Sequence, residues 1–121
     1  MTRKLLVIED DRDIAHLMRL HLRDLPAQVD LADNGADGLA MARALRYDLV
    51  VLDLSMEDLS GYEVCAAMRS EAALAQVPIL LLHGGSSLYD ENRALKVGAS
   101  GEIAKPFFSN ELINKLKQHL G

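Results

Sequence analysis

The chain has 121 residues, half of them hydrophobic, only 4% aromatic and none of them Trp, so one domain with an aliphatic core is expected over residues 1–121. A formal net charge of −5 argues against nucleic acid as a direct partner, because the phosphate backbone is bound through Lys and Arg. The single cysteine, Cys65, excludes a disulfide within the chain and fits a reducing cytoplasm, and Glu9, Asp10 and Asp11 cut the first apolar run too short for secretion or membrane spanning.

Leu5-Leu6-Val7-Ile8 runs into Glu9-Asp10-Asp11, an aliphatic run ended by acid, as in a buried strand. Ile14, Leu17, Met18, His21 and Leu25 then recur at helical spacing, and Pro26 marks the exit. Val29 and Leu31 alternate with polar neighbours, as in a strand exposed on one face. Asp33-Asn34-Gly35 turns the chain and caps an alanine-rich helix through Leu45. Leu49-Val50-Val51-Leu52 runs into Asp53, and a polar loop leads to Gly61 and a helix carrying Val64, Cys65 and Met68. Pro78 to Leu82 reads as a fourth strand broken by Gly84-Gly85. A helix through Leu88, Ala94 and Leu95 closes at Gly98, where glycine suits a left-handed cap. Ser100–Ala104 reads as a fifth strand. Ser109 caps a last helix with Leu112, Ile113, Leu116 and Leu120 inward. Five successive βα units require a parallel sheet covered on both faces.

Ligands bind beyond the carboxyl ends of the strands in such a sheet. Glu9, Asp10, Asp53 and Lys105 stand at those ends and are expected to share one pocket. Crowded carboxylates are unstable without a cation among them. An oxygen-only donor set suits a hard divalent ion, and Lys105 opposite suits a phosphoryl group bridging the two. Helix capping is the competing explanation for the first acids, and Asp11 or Asp13 suits that role. It does not account for Asp53 and Lys105.

Over essentially its whole length the chain resembles the receiver domain of two-component response regulators. Four motifs carry the resemblance: Val7-Ile8-Glu9-Asp10-Asp11, Leu52-Asp53-Leu54-Ser55-Met56 followed by Gly61, Gly98-Ala99, and Lys105-Pro106-Phe107. Each is weak alone, and together in this order they are specific. The resemblance implies an α/β, flavodoxin-like (βα)5 doubly wound parallel sheet with strand order 2-1-3-4-5. It implies a cytoplasmic signalling domain, not a metabolic enzyme, in which Asp53 accepts a phosphoryl group from a histidine kinase or phosphotransfer protein. Mg2+ would be held by Asp10 and Asp53 directly, by Glu9 through water and by the Ser55 carbonyl. Ser55, His83, Gly84 and Lys105 would contact the phosphoryl group. Output would pass to an effector protein, and a homodimer would form, through the last two helices and the fifth strand.

Three positions depart from the family. His83 stands where Thr or Ser is usual at the end of the fourth strand, and Glu102 where Tyr or Phe usually precedes the lysine by three residues. These are the two switch positions, and both lack the usual residue. His83 is expected to pair with Asp53, to meet the phosphoryl group, or to point to solvent across Gly84-Gly85. Glu102 is expected to remain in solvent, since burying an unpaired carboxylate costs several kcal/mol, order of magnitude ~3. Met56 is followed by Glu57-Asp58 instead of Pro, which predicts a freer, more negative loop. Ser55 and Gly85, two residues beyond Asp53 and His83, offer no amide or carboxylate to fix water, so a long-lived phosphoryl group is expected.

The rival readings are a pseudo-receiver, an interaction module that signals without phosphate, and a metal-dependent phosphatase with Asp53 as nucleophile. The first is favoured by His83 and Glu102. The second needs a general acid where Ser55 stands. An FMN protein of this fold is disfavoured, because the acidic first loop lacks a Ser/Thr/Gly phosphate cradle. His16, His21 and His119 read as helix-face residues, and Cys65, Met18, Met41 and Met68 as core.

Overall fold

The computed structural model describes residues 2–84 and 89–120. The elements are β1 (Arg3–Ile8), α1 (Arg12–Leu22), β2 (Ala27–Ala32), α2 (Gly35–Ala44) and β3 (Leu49–Asp53), followed by α3 (Gly61–Arg69) and a short 3-10 turn, Ala72–Leu74. Then come β4 (Ile79–His83), α4 (Glu91–Val97), β5 (Gly101–Ala104) and α5 (Ser109–Leu120). All strand pairs are parallel, in the order β2-β1-β3-β4-β5.

Successive strand residues point to opposite faces, which divides the core in two. Leu5, Val7, Leu49, Val51, Leu80, Leu82 and Ile103 pack with Met18 and Leu22 of α1 and Leu112 and Leu116 of α5. Leu6, Ile8, Val50, Leu52, Ile79 and Leu81 pack with Ala42 of α2, Val64, Cys65 and Met68 of α3 and Ala94 of α4. The three inner strands are buried on both faces, hence their unbroken Leu/Val/Ile runs. Burial pushes the Cys65 thiol up to about 11, and its Sγ–H donates to the Val97 carbonyl at 3.4 Å, which makes it a core residue.

Helix ends follow local chemistry. Asp11 caps α1 by accepting the Asp13 and Ile14 amides at 3.0 and 3.3 Å. Ser60 and Glu63 form a reciprocal capping box on α3, and Gly98 closes α4 at φ +86. The first helix ends at Leu22, three residues short of Leu25, because the chain turns there ahead of Pro26. The cap of α2 is Asn34, and Asp90 caps α4, which begins at Glu91; Leu88 lies outside the described residues. Ser109 stands inside α5, where the Phe108 carbonyl accepts the first helical bond, from Leu112. Leu17 and Leu95 face outward, 44% and 68% exposed, so helical spacing alone overstated the inward set.

Candidate functional site

The two-residue phase of the strands sets which side chains meet. Glu9 continues the phase of Leu5 and Val7, Asp53 that of Leu49 and Val51, and Lys105 that of Ile103, so all three emerge on the α1/α5 side of the sheet's carboxyl edge. The Lys105 ammonium donates to Asp53 Oδ1 at 3.1 Å and stands 2.8 Å from Glu9 Oε1. Asp53 and Glu9 are 2% and 1% exposed. Asp10 is half-buried, and its Oδ2 accepts the Glu57 amide at 3.2 Å.

Two carboxylates and one ammonium leave this cluster short of positive charge. Burial, with Asp53 adding to it, pushes the Glu9 carboxyl up to about 7 despite Lys105. Burial opposes the charge on Lys105, but pairing with Glu9 and Asp53 outweighs it and holds the ammonium above its ordinary value. Glu9 Oε1 is fully buried, and its ion pair with Lys105 is not matched by a well-directed hydrogen bond. One oxygen each from Glu9, Asp10 and Asp53 fall within 4.8 Å of one another. Hard oxygen donors around an unsatisfied buried oxygen fit a divalent cation of the magnesium class.

Residues 5–117 match the response regulator receiver domain. The chain belongs to this family. It is 36% identical over 113 residues to the cell cycle response regulator CtrA of Brucella ovis, covering 93% of this chain and 48% of CtrA. It therefore spans about half the length of the curated relatives it matches. The chemotaxis protein CheY4 of Vibrio cholerae superposes with a TM-score of 0.92 at 28% identity, over 98% of this chain and 99% of that one. The receiver domain of a sensor histidine kinase from Pseudomonas aeruginosa, solved with a magnesium ion coordinated in its active site cleft, gives 0.91 at 27% identity over 100% and 99%.

The switch positions of this receiver domain are occupied differently from expectation. His83 follows the phase of Ile79 and Leu81, and Glu102 lies opposite Leu81, so both face the α3/α4 side, away from Asp53. His83 Nε2 lies 2.6 Å from Glu102 Oε2, and the imidazole stacks on Tyr89 with centroids 4.3 Å apart and planes 11° apart. His83 is thus neither paired with Asp53 nor turned to solvent, whereas the Glu102 side chain stays 38% exposed, as expected, with one oxygen bonded to the imidazole.

The Glu57–Asp58 loop also differs. Both Asp58 oxygens accept amides of α2, from Gly35 and Ala36 at 2.9 Å each, so the loop is anchored and this acid is not one of the clustered carboxylates. Ser55 and Gly84 are exposed on the same edge, and a side chain at Gly84 would meet only open space. Gly85 lies outside the described residues. His16 is exposed on α1, while His21 meets the edge of Phe107 at 5.9 Å. Tyr89 and Asp58 were missed as contacts of the switch and the loop; neither carries a local pattern that names its partner. A groove of about 670 Å³ at the opposite end of the sheet, by Tyr47 and Pro78, is bridged by the Arg43–Glu71 ion pair at 2.8 Å. This groove is remote from the acids.

Proposed function

We propose that Asp53 accepts a phosphoryl group from a phosphohistidine of a histidine kinase or phosphotransfer protein. The observation that carries this is the buried Asp53 carboxylate held by Lys105 at 3.1 Å, with Glu9 and Asp10 oxygens within 4.8 Å. An Asp53 oxygen attacks phosphorus in line, the P–N bond to the donor imidazole breaks, and an acyl phosphate forms. Lys105, already desolvated and charged, pairs with the transferring oxygens without reorganising. Glu9, Asp10, Asp53 and the Ser55 carbonyl would hold Mg2+, which when bound supplies further neutralising charge. Ser55 and Gly84 would approach the phosphoryl group from their loops, and His83 only when its imidazole leaves Glu102.

The receiver domain, taken as residues 1–121 and set in the cytoplasm, then passes its state to an effector protein through α4, β5 and α5. The exposed Leu95 favours that face for a partner or a second copy. Among the described residues no helix is long and apolar enough to cross a membrane. The pseudo-receiver reading draws on one observation, the His83–Glu102 bond, which occupies the switch before any phosphate arrives.

Incubation with acetyl phosphate or phosphoramidate and Mg2+ separates the two. Intact mass should rise by one phosphoryl group in wild type, and stay unchanged in Asp53→Asn or with EDTA. A folded wild type that stays unmodified supports the pseudo-receiver.

A further inference from the structure

The loop from β3 to α3 is held at three places. The Gly61 amide donates to the Leu54 carbonyl at 2.8 Å, the Glu57 amide donates to Asp10 Oδ2 at 3.2 Å, and Asp58 reaches α2 with both oxygens. Its partners, Gly35 and Ala36, are the first two amides of α2, and the third, Asp37, is satisfied by Asn34 Oδ1 at 2.8 Å. The helix is therefore capped twice: by its own N-cap, and by a side chain of the loop that carries Ser55 and Glu57. The Gly35 and Ala36 amides hold the Asp58 carboxyl below its ordinary value, so its charge is engaged by backbone and not by the pocket. The two elements are also close-packed, for a Cβ on Gly35 would lie 3.0 Å from Leu59 Cβ and 3.1 Å from Val64 Cγ2.

We propose that Asp58 is a positioning residue for the cation site. By tying the loop to α2 it sets the Glu57 amide, and that amide takes one oxygen of the half-buried Asp10 and so fixes how its carboxylate is presented. The same anchor fixes the backbone that carries the Ser55 carbonyl. This rests on the phosphoacceptor reading above. Partners that orient a metal ligand from behind typically change affinity by about 10–100-fold when removed.

Magnesium affinity, read by amide chemical shifts during titration with MgCl2, tests this on three variants. Asp58→Ala should bind Mg2+ about tenfold more weakly, at the low end of that range. Asp58→Asn, which keeps an acceptor for one amide, should recover part of the loss. Asn34→Ala removes the other cap of the same helix and should lower the melting temperature while leaving Mg2+ affinity unchanged. Wild-type affinity in Asp58→Ala would overturn the proposal, as would an equal loss in Asn34→Ala, which would make Asp58 a helix cap only. If wild type itself shows no Mg2+ response at millimolar concentration, the phosphoacceptor reading falls together with this one. Wild-type affinity in Asn34→Ala, with a loss in Asp58→Ala that Asp58→Asn partly recovers, supports both.

Discussion

At the scale of single residues, Glu9 couples the site to stability. Its carboxyl titrates near 7 in the folded, metal-free chain against 4.5 ordinarily. Between those values the folded state binds more protons than the unfolded one, so stability falls as pH rises through that window and levels off above it. The shift corresponds to roughly 3 kcal/mol. Urea unfolding in EDTA should therefore show wild type losing stability between pH 5 and 7.5 relative to Glu9→Gln. Parallel pH curves for the two proteins would show that the cluster does not strain the fold. Glu9, Asp53 and Lys105 were legible in the sequence because each ends or follows a strand run, and phase carries all three to one side. Asp58 was not, because its partners are backbone amides 22 and 23 residues away, which no residue pattern marks.

At the scale of elements, the paired ends of β4 and β5 are where sequence reading fell short. Phase alone places His83 and Glu102 on one face, but judging each against the family's usual residue treated them as separate losses. In the structure they are one hydrogen-bonded unit backed by Tyr89. A ligand shifts an equilibrium only by its differential interaction with two states. With His83 already bonded to Glu102, phosphorylation is expected to couple weakly to the α4–β5 face. Beryllofluoride should move amide resonances strongly at Asp53, Ser55 and Gly84, and little at Glu102 and Leu95. The pair His83→Thr with Glu102→Tyr should extend the response to that face more than either change alone. Large shifts at Glu102 in the unaltered protein would show that the imidazole leaves its carboxylate when the site fills. The strand order was read correctly because period and burial agree there, whereas helical spacing put Leu17 and Leu95 inward though they are exposed, and ran the first helix on to Leu25, past its end at Leu22.

At the scale of the whole molecule, a cation bound at the proposed site would relieve the charge imbalance at the sheet edge and so link binding to folding. Mg2+ at about 100 times its dissociation constant should add roughly 2.7 kcal/mol, or about 10 °C in melting temperature for a domain of this size. Asp10→Ala should lose that increment and still fold, since Asp10 is half-buried at the edge. An equal increment in Asp10→Ala would place the ion elsewhere. The central claim, that Asp53 is the phosphorylated residue, is tested most directly by chemical trapping. Sodium borohydride reduces an acyl phosphate to an alcohol and leaves free carboxylates unchanged. After treatment with acetyl phosphate and Mg2+, tandem mass spectrometry of the reduced protein should find homoserine at position 53 and nowhere else. Reduction at Asp10 or another acid instead, or phosphoprotein in which position 53 stays aspartate, would contradict the account.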